Sequence, residues 1–171
     1  MGFRNAAMAD LDTLMEIYAR ARNVMRESGN NNQWINGYPG RDLIEKDIRE
    51  RHCYVYEEDG QIQAVFCLFP GEDPTYREIY EGAWQNDAPY AAIHRIASAG
   101  LSKGAAGKCF AWALEQYGNI RIDTHDDNRI MQHVLEKNGF VRCGRIYLED
   151  GSPRVAFQKT GSGRLPKESF C

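Results

Sequence analysis

Ile93-His94-Arg95-Ile96-Ala97-Ser98-Ala99-Gly100-Leu101-Ser102-Lys103-Gly104-Ala105-Ala106-Gly107-Lys108-Cys109-Phe110-Ala111-Trp112 is the stretch on which the fold turns. Its apolar start reads as a strand, its middle as a loop of small residues, and its end as a helix. A loop of this kind leaves free N–H groups at a helix N-terminus, where the helix dipole is positive, and so makes a site for phosphate. Lys103 and Lys108 add charge to it.

Two common phosphate motifs fail on spacing. A P-loop needs Gly, four residues, then Gly-Lys and a hydroxyl residue. Gly107-Lys108 is present, but Ser102 stands at the first glycine position and Cys109 at the hydroxyl position. A dinucleotide fingerprint needs three glycines at other offsets and opens its domain, whereas this loop follows more than half of the chain.

Upstream, Gly2 to Ala6 reads as a short strand, and Asp10 to about Met25 as a helix capped by Asp10, with Leu11, Leu14, Tyr18 and Met25 at helical spacing. Residues 28–40 form a loop that carries Trp34, Ile35 and Tyr38, which either cover a core edge or wall a substrate pocket. A second helix carries Leu43, Ile44 and Ile48. Strands at Cys53–Tyr56 and Ile62–Phe69 flank Asp59-Gly60, a hairpin turn signal, and the apolar run Ala64–Phe69 suits a central strand. The segment from Tyr76 to Trp84 fits either a turn of helix or a strand, and Tyr90 to Ala97 is the fourth strand.

Downstream, Gly104 to Tyr117 is a helix with Phe110, Leu114 and Tyr117 on one stripe and Trp112 off it. Ile120–Thr124 is a strand, Asp127 or Asn128 caps the next helix, and Asn138-Gly139 closes it. Phe140–Leu148 and Arg154–Lys159 form a final hairpin. The order β-α-α-β-β-β-α-β-α-β-β implies a mixed α/β sheet: parallel where helices connect the strands, antiparallel at the hairpins. Residues 1–160 read as one domain and 161–171, rich in Gly, Ser, Pro and Lys, as a flexible tail.

Composition narrows the function. The 171 residues carry a net charge of −3, which gives no basic footprint for nucleic acid. No apolar run reaches membrane length and no leader of signal-peptide type is visible. The 5 cysteines include no Cys-x-x-Cys pair, so neither a zinc site nor a disulfide framework is expected, and a cytoplasmic location is.

Leu101-Ser102-Lys103-Gly104-Ala105-Ala106 resembles the pyrophosphate loop of the GNAT superfamily of N-acetyltransferases, Gln/Arg-x-x-Gly-x-Gly/Ala, with Leu101 at the Gln/Arg position. Asn128, Glu136, Lys137, Gly139 and Phe140 match that family's Asn-x-x-Ala-x-x-Leu-Tyr-Glu-Lys-x-Gly-Phe element, with Met131 at the alanine and Leu135 at the tyrosine. The resemblance implies a mostly antiparallel central sheet flanked by helices, with splayed parallel strands four and five. It also implies acetyl-CoA as co-substrate, with no metal. The pantetheine would bond to the edge Ile96-Ala97-Ser98, the pyrophosphate to Lys103, Gly104, Ala105, Ala106, Gly107 and Lys108, and Asn128 to the pantetheine.

The activity so implied is acetyl transfer by direct attack of a primary amine of a small molecule or peptide; the alternative is a non-catalytic acyl-CoA sensor. A homodimer is a further expectation, because relatives often dimerise. Strand alternation puts His94, Ile96 and Ser98 on one face, which makes His94 a candidate base or a packed strand histidine. Tyr147 is a candidate acid or a core tyrosine. His125 is near the cofactor arm or in a solvent-facing turn, while Asp123 and Asp126 read as turn and cap residues. Trp34, Tyr38 and Trp84 are candidate acceptor-binding residues.

Overall fold

The computed structural model describes residues 2–161. The tail expected over 161–171 lies, beyond Gly161, outside the described residues. The elements are β1 (Gly2–Asn5), α1 (Leu11–Glu27), α2 (Arg41–Arg49), β2 (Cys53–Glu58), β3 (Gln61–Pro70), β4 (Ala91–Ser98), α3 (Ala105–Tyr117), β5 (Asn119–Thr124), α4 (Arg129–Lys137), β6 (Val141–Tyr147) and β7 (Pro153–Thr160). One seven-stranded sheet has the order β1-β2-β3-β4-β5-β7-β6. Only β4 and β5 pair in parallel; the other neighbours are antiparallel. No helix among the described residues is long and apolar enough to cross a membrane.

The sheet separates two cores. On one face Leu14, Ile17 and Tyr18 of α1 and Ile44 and Ile48 of α2 pack on Val55 and Val65. On the other, Cys109, Phe110 and Ala113 of α3 and Leu135 of α4 pack on Phe66, Ile93, Ile122 and Phe157. Trp112, off the expected stripe, stacks on Phe3 at 5.0 Å and also meets Tyr54 and Phe66, so the helix covers the β1–β2 edge with a second row of side chains.

Three local expectations change. Asp10 does not cap α1: it accepts from Ala7 N–H at 2.7 Å and holds Arg4, because a turn of 3-10 helix, Met8–Asp10, precedes α1. The segment 76–84 is neither helix nor strand. A 3-10 turn, Pro74–Tyr76, leads into a single bridge between Tyr80 and Arg145 on the sheet edge. The strand alternation also breaks in β4. Val65 opposes Ala97 but Cys67 opposes His94, so Arg95 and Ile96 share one position opposite Phe66, and Arg95 takes φ 52°.

The sheet forks at this bulge. β4 pairs with β5 only at Ala91–Ile120 and Ala92–Arg121. Beyond these residues the two strands part, and the edge of β4 from Ile93 onward has no strand beside it.

Candidate active site

The bulge decides which groups face the fork. Ala99 N–H donates to Gln63 O at 2.9 Å, so by two-residue alternation Ala97 bonds to β3 and Ser98 turns its N–H away from it. Leu68 N–H donates to His52 O at 2.9 Å, so Phe66 likewise faces β2 and offers Ile96 no partner. Ile96 and Ser98 therefore present backbone groups to the cleft, while Ala97 does not. The bulge also moves His94 off the face of Ile96. Ile96 packs with α3 residues in one core, whereas His94 lies on the opposite face beside Phe69 and Tyr76.

His94 sits two residues past the last β4–β5 pair. Its Nε2 lies 2.8 Å from Asp73 Oδ2, and Nδ1 has no partner among the described residues. Asp73 caps the 3-10 turn, accepting from Thr75 N–H at 2.9 Å and Thr75 Oγ1 at 2.7 Å. Burial alone would raise the Asp73 carboxyl, but the bonds from His94 and Thr75 outweigh it and hold it down to about 2. An ionised Asp73 accepts the Nε2 proton, which leaves the Nδ1 lone pair as the free basic site.

Across the fork, Tyr76 OH donates to Asp123 Oδ1 at 2.6 Å. Burial, reinforced by that carboxylate, pushes the Tyr76 phenol well above its usual range, so it stays protonated. Asp123 is thus part of a polar wall facing the fork rather than a turn residue. Asp126 is held by Arg145 at 2.8 Å and 3.0 Å. His125 Nδ1 accepts from Asp127 N–H at 3.0 Å.

The loop after β4 has the expected form. Gly104 caps α3 with φ 77°, and a Cβ there would meet nothing within 4 Å, so its surface is open. The N–H groups of Ala105, Ala106 and Gly107 begin the helix. Lys108 lies outside this cradle: its N–H donates to Gly104 O at 3.1 Å and its ammonium to Glu58 at 2.9 Å. Gly107 is small for another reason, since a Cβ there would stand 2.7 Å from Asn138 Oδ1, at the contact between α3 and the end of α4. Arg20 of α1, not anticipated from sequence, donates to Ser98 O at 3.2 Å and lies over Gly100, where any Cβ would meet its guanidinium at 2.2 Å.

Asn128 caps α4 through Met131 N–H at 3.0 Å and donates to Gln33 at 3.1 Å, tying the 28–40 loop across the fork. Thr124 Oγ1, at the end of β5, is buried without a partner among the described residues. An open strand edge and an open glycine cap fit a ligand rich in amides and phosphates.

Of the aromatic candidates, Trp34 packs edge-on to Tyr18 at 5.6 Å, covering the core edge, and also lines a cavity of about 410 Å³ with Arg22, Arg26 and Gln33. Tyr38 OH accepts from Arg95 at 3.2 Å. Trp84 donates to Tyr76 O at 2.9 Å and lies under Arg121, so it supports Tyr76 from behind. Tyr147 is not a core tyrosine: it is 44% exposed, packs against Tyr80 and rims a depression with Pro74 and Thr75, beside Asp73. Leu135, by contrast, is fully buried in the core.

This geometry has close relatives. An acetyltransferase of the GNAT family from Streptococcus agalactiae 2603 is 33% identical, with 94% of this chain and 95% of that chain covered at a TM-score of 0.87. The chain belongs to the GNAT family of acetyltransferases. S-(2-succino)cysteine N-acetyltransferase from Bacillus subtilis (strain 168) is 28% identical over 92% of this chain and 94% of that protein. An acetyltransferase from Salmonella typhimurium, solved with its cofactor acetyl-CoA, shares the fold at a TM-score of 0.62 and 15% identity, over 99% and 98% of the two chains. No family model matches the chain.

N-acetyl transfer needs one site for an acyl donor and one for an amine; in this GNAT enzyme Ile96 and α3 lie on one face of the sheet and His94 and Tyr76 on the other.

Proposed function

We propose that this enzyme transfers the acetyl group of acetyl-CoA to the primary amine of a small amino-acid derivative that carries carboxylates, by direct attack. The observation that carries the reading is the His94–Asp73 pair, with Nδ1 free, at the point where β4 and β5 part. The amino-acid class is supported by the similarity to an enzyme named for S-(2-succino)cysteine. Four buried unpaired thiols among the described residues, Cys53, Cys67, Cys109 and Cys143, support a reducing cytoplasmic setting.

Acetyl-CoA supplies the acetyl group as a thioester. Ile96 and Ser98 hold the pantetheine as a neighbouring strand would, and the N–H groups from Lys103 to Gly107 hold the pyrophosphate. As the acceptor nitrogen bonds to the acetyl carbon, His94 Nδ1 takes its proton, directly or through a water, and Asp73 holds the imidazolium that results. Ile96 N–H receives the developing oxyanion. The carbon–sulfur bond then breaks and CoA leaves as a thiolate. Leu135 cannot donate a proton to it, and a thiol with a pKa near about 8.5 needs little help to leave.

Release of free CoA thiol across a panel of amines tests the reading. Turnover is expected with S-(2-succino)cysteine and related amino acids; binding of acetyl-CoA without turnover of any amine would overturn it.

A further inference from the structure

Ser98 turns its N–H away from β3, and in an extended strand a residue's carbonyl points the same way as its N–H, so Ser98 O faces the fork as well. Arg20 of α1 meets it there, donating from Nη1 at 3.2 Å. The guanidinium lies against Gly100, where a Cβ would collide with it. Gly100 takes φ 76° and donates its N–H to Ser98 Oγ at 3.1 Å, which brings the start of the loop up to the guanidinium. Two other arginines near the fork are neutralised, Arg95 by Asp47 at 2.9 Å and Arg145 by Asp126 at 2.8 Å. Arg20 makes no ion pair among the described residues, and Ser98 O is its one hydrogen-bond partner there. A neutral carbonyl uses one of the five N–H donors of a guanidinium and none of its charge.

The loop beside it is short of positive charge. Leu101 is 61% exposed and offers none. Lys108 is committed elsewhere, with its ammonium 2.9 Å from Glu58 and 3.2 Å from Tyr56 OH. Of the residues from Ala99 to Lys108, that leaves Lys103 as the free cation. The N–H groups that open α3 are uncharged donors, strengthened by the helix dipole but not able to neutralise a pyrophosphate. Arg20 places a second cation at the start of the same loop, carried by a different helix and so invisible to any motif within it.

We propose that Arg20 is a ligand for the pyrophosphate of acetyl-CoA, released to that role when the pantetheine takes Ser98 O. The inference rests on the acetyl-CoA reading given above and adds a phosphate ligand from outside the loop. A pantetheine lying along β4 as a strand needs the Ser98 carbonyl for one of its amide N–H groups. That amide displaces Arg20 at the start of the loop, and the next part of the cofactor along its length is the pyrophosphate. The guanidinium exchanges a neutral acceptor for a charged one that it meets bidentately, and Ser98 O exchanges one donor for another, so the move leaves no polar group unpaired.

Three ligands of the full chain test it: CoA, 3′-dephospho-CoA, which keeps the pyrophosphate, and pantetheine, which has no phosphate. Calorimetry gives Kd for the first two, and competition against CoA gives Ki for the third. Arg20→Met should raise Kd for CoA and for 3′-dephospho-CoA by about tenfold each, the effect of one charge-assisted contact at an exposed site. It should leave the Ki of pantetheine unchanged or lower it, because Ser98 O then has no guanidinium to displace. Arg20→Lys should fall between, and the gap from wild type should narrow as salt screens the pair. A loss with CoA alone would move Arg20 to the 3′-phosphate and overturn the assignment. Equal losses with all three ligands would mark a structural role for Arg20, and no loss with any would mark none; either overturns it, and both leave the acetyl-CoA reading standing. A wild type that binds neither CoA nor 3′-dephospho-CoA overturns that reading as well.

Discussion

His94 shows how much of the proposed chemistry rests on single side chains. Sequence marks it as a histidine on a strand, and the structure adds Asp73, which no motif announced because it lies 21 positions away in a turn. Replacing His94 with Ala is expected to lower kcat by about 10²- to 10⁴-fold, the usual contribution of a general base. Acetyl-CoA affinity should stay within about twofold, since His94 lies on the other face of the sheet from Ile96. Calorimetry alongside steady-state rates separates the two; an unchanged rate would retire His94 as the base. Asp73 also links to stability. Its folded value of about 2 lies below the ordinary 3.8, so its contribution is complete above about pH 4 and is lost as pH falls toward 2. Thermal melts from pH 2 to 5 should show that loss in the wild type and a flatter curve for Asp73→Asn.

At the scale of elements, the strands and helices were readable because their periodicities are strong, and the turn at Asp59-Gly60 because both residues take positive φ, 52° and 76°. The bulge was not readable. Nothing in Arg95 suggests a left-handed backbone, which here is held from outside, by Asp47 on its guanidinium and by Tyr18 OH on its carbonyl at 2.7 Å. Tertiary partners, not local preference, decide that conformation, and they decide which side of β4 His94 occupies. The glycines of the loop divide in the same way. Sequence treats Gly104 and Gly107 alike, yet one faces open space and the other faces Asn138. Gly104→Asn tolerates the left-handed backbone but projects a side chain into the phosphate cradle, and should weaken acetyl-CoA binding about tenfold or more with a small change in Tm. Gly107→Ala should do the reverse, costing about 1–3 kcal/mol of stability by overpacking against α4 and leaving affinity nearly intact. Thermal melts and calorimetry on the two variants check the pair; a crossed result would place the phosphate site elsewhere on α3.

For the whole molecule, the fork means that the sheet is continuous only through two residue pairs between β4 and β5. Helix α3 bridges the halves on one side, touching β3, β4 and β5, and on the other the tie from Gln33 to Asn128 spans the gap. Acetyl-CoA seated in the fork would supply the missing strand, so binding should stiffen the molecule as a sheet and not only at the loop. At about 100 times Kd the linkage stabilises the fold by about 2.7 kcal/mol, a rise in Tm on the order of 5–10 °C for a chain of this size. Amide exchange locates the effect. In the free protein the N–H groups of Ile96 and Ser98, turned into the cleft, should exchange much faster than that of Ala97, which bonds to β3. Acetyl-CoA should slow Ile96 and Ser98 toward the rate of Ala97, while residues of β1 and β2 gain only what global stabilisation gives. Equal protection of all three amides before binding would mean that the edge of β4 is already occupied by the protein itself, with no strand position left for the pantetheine.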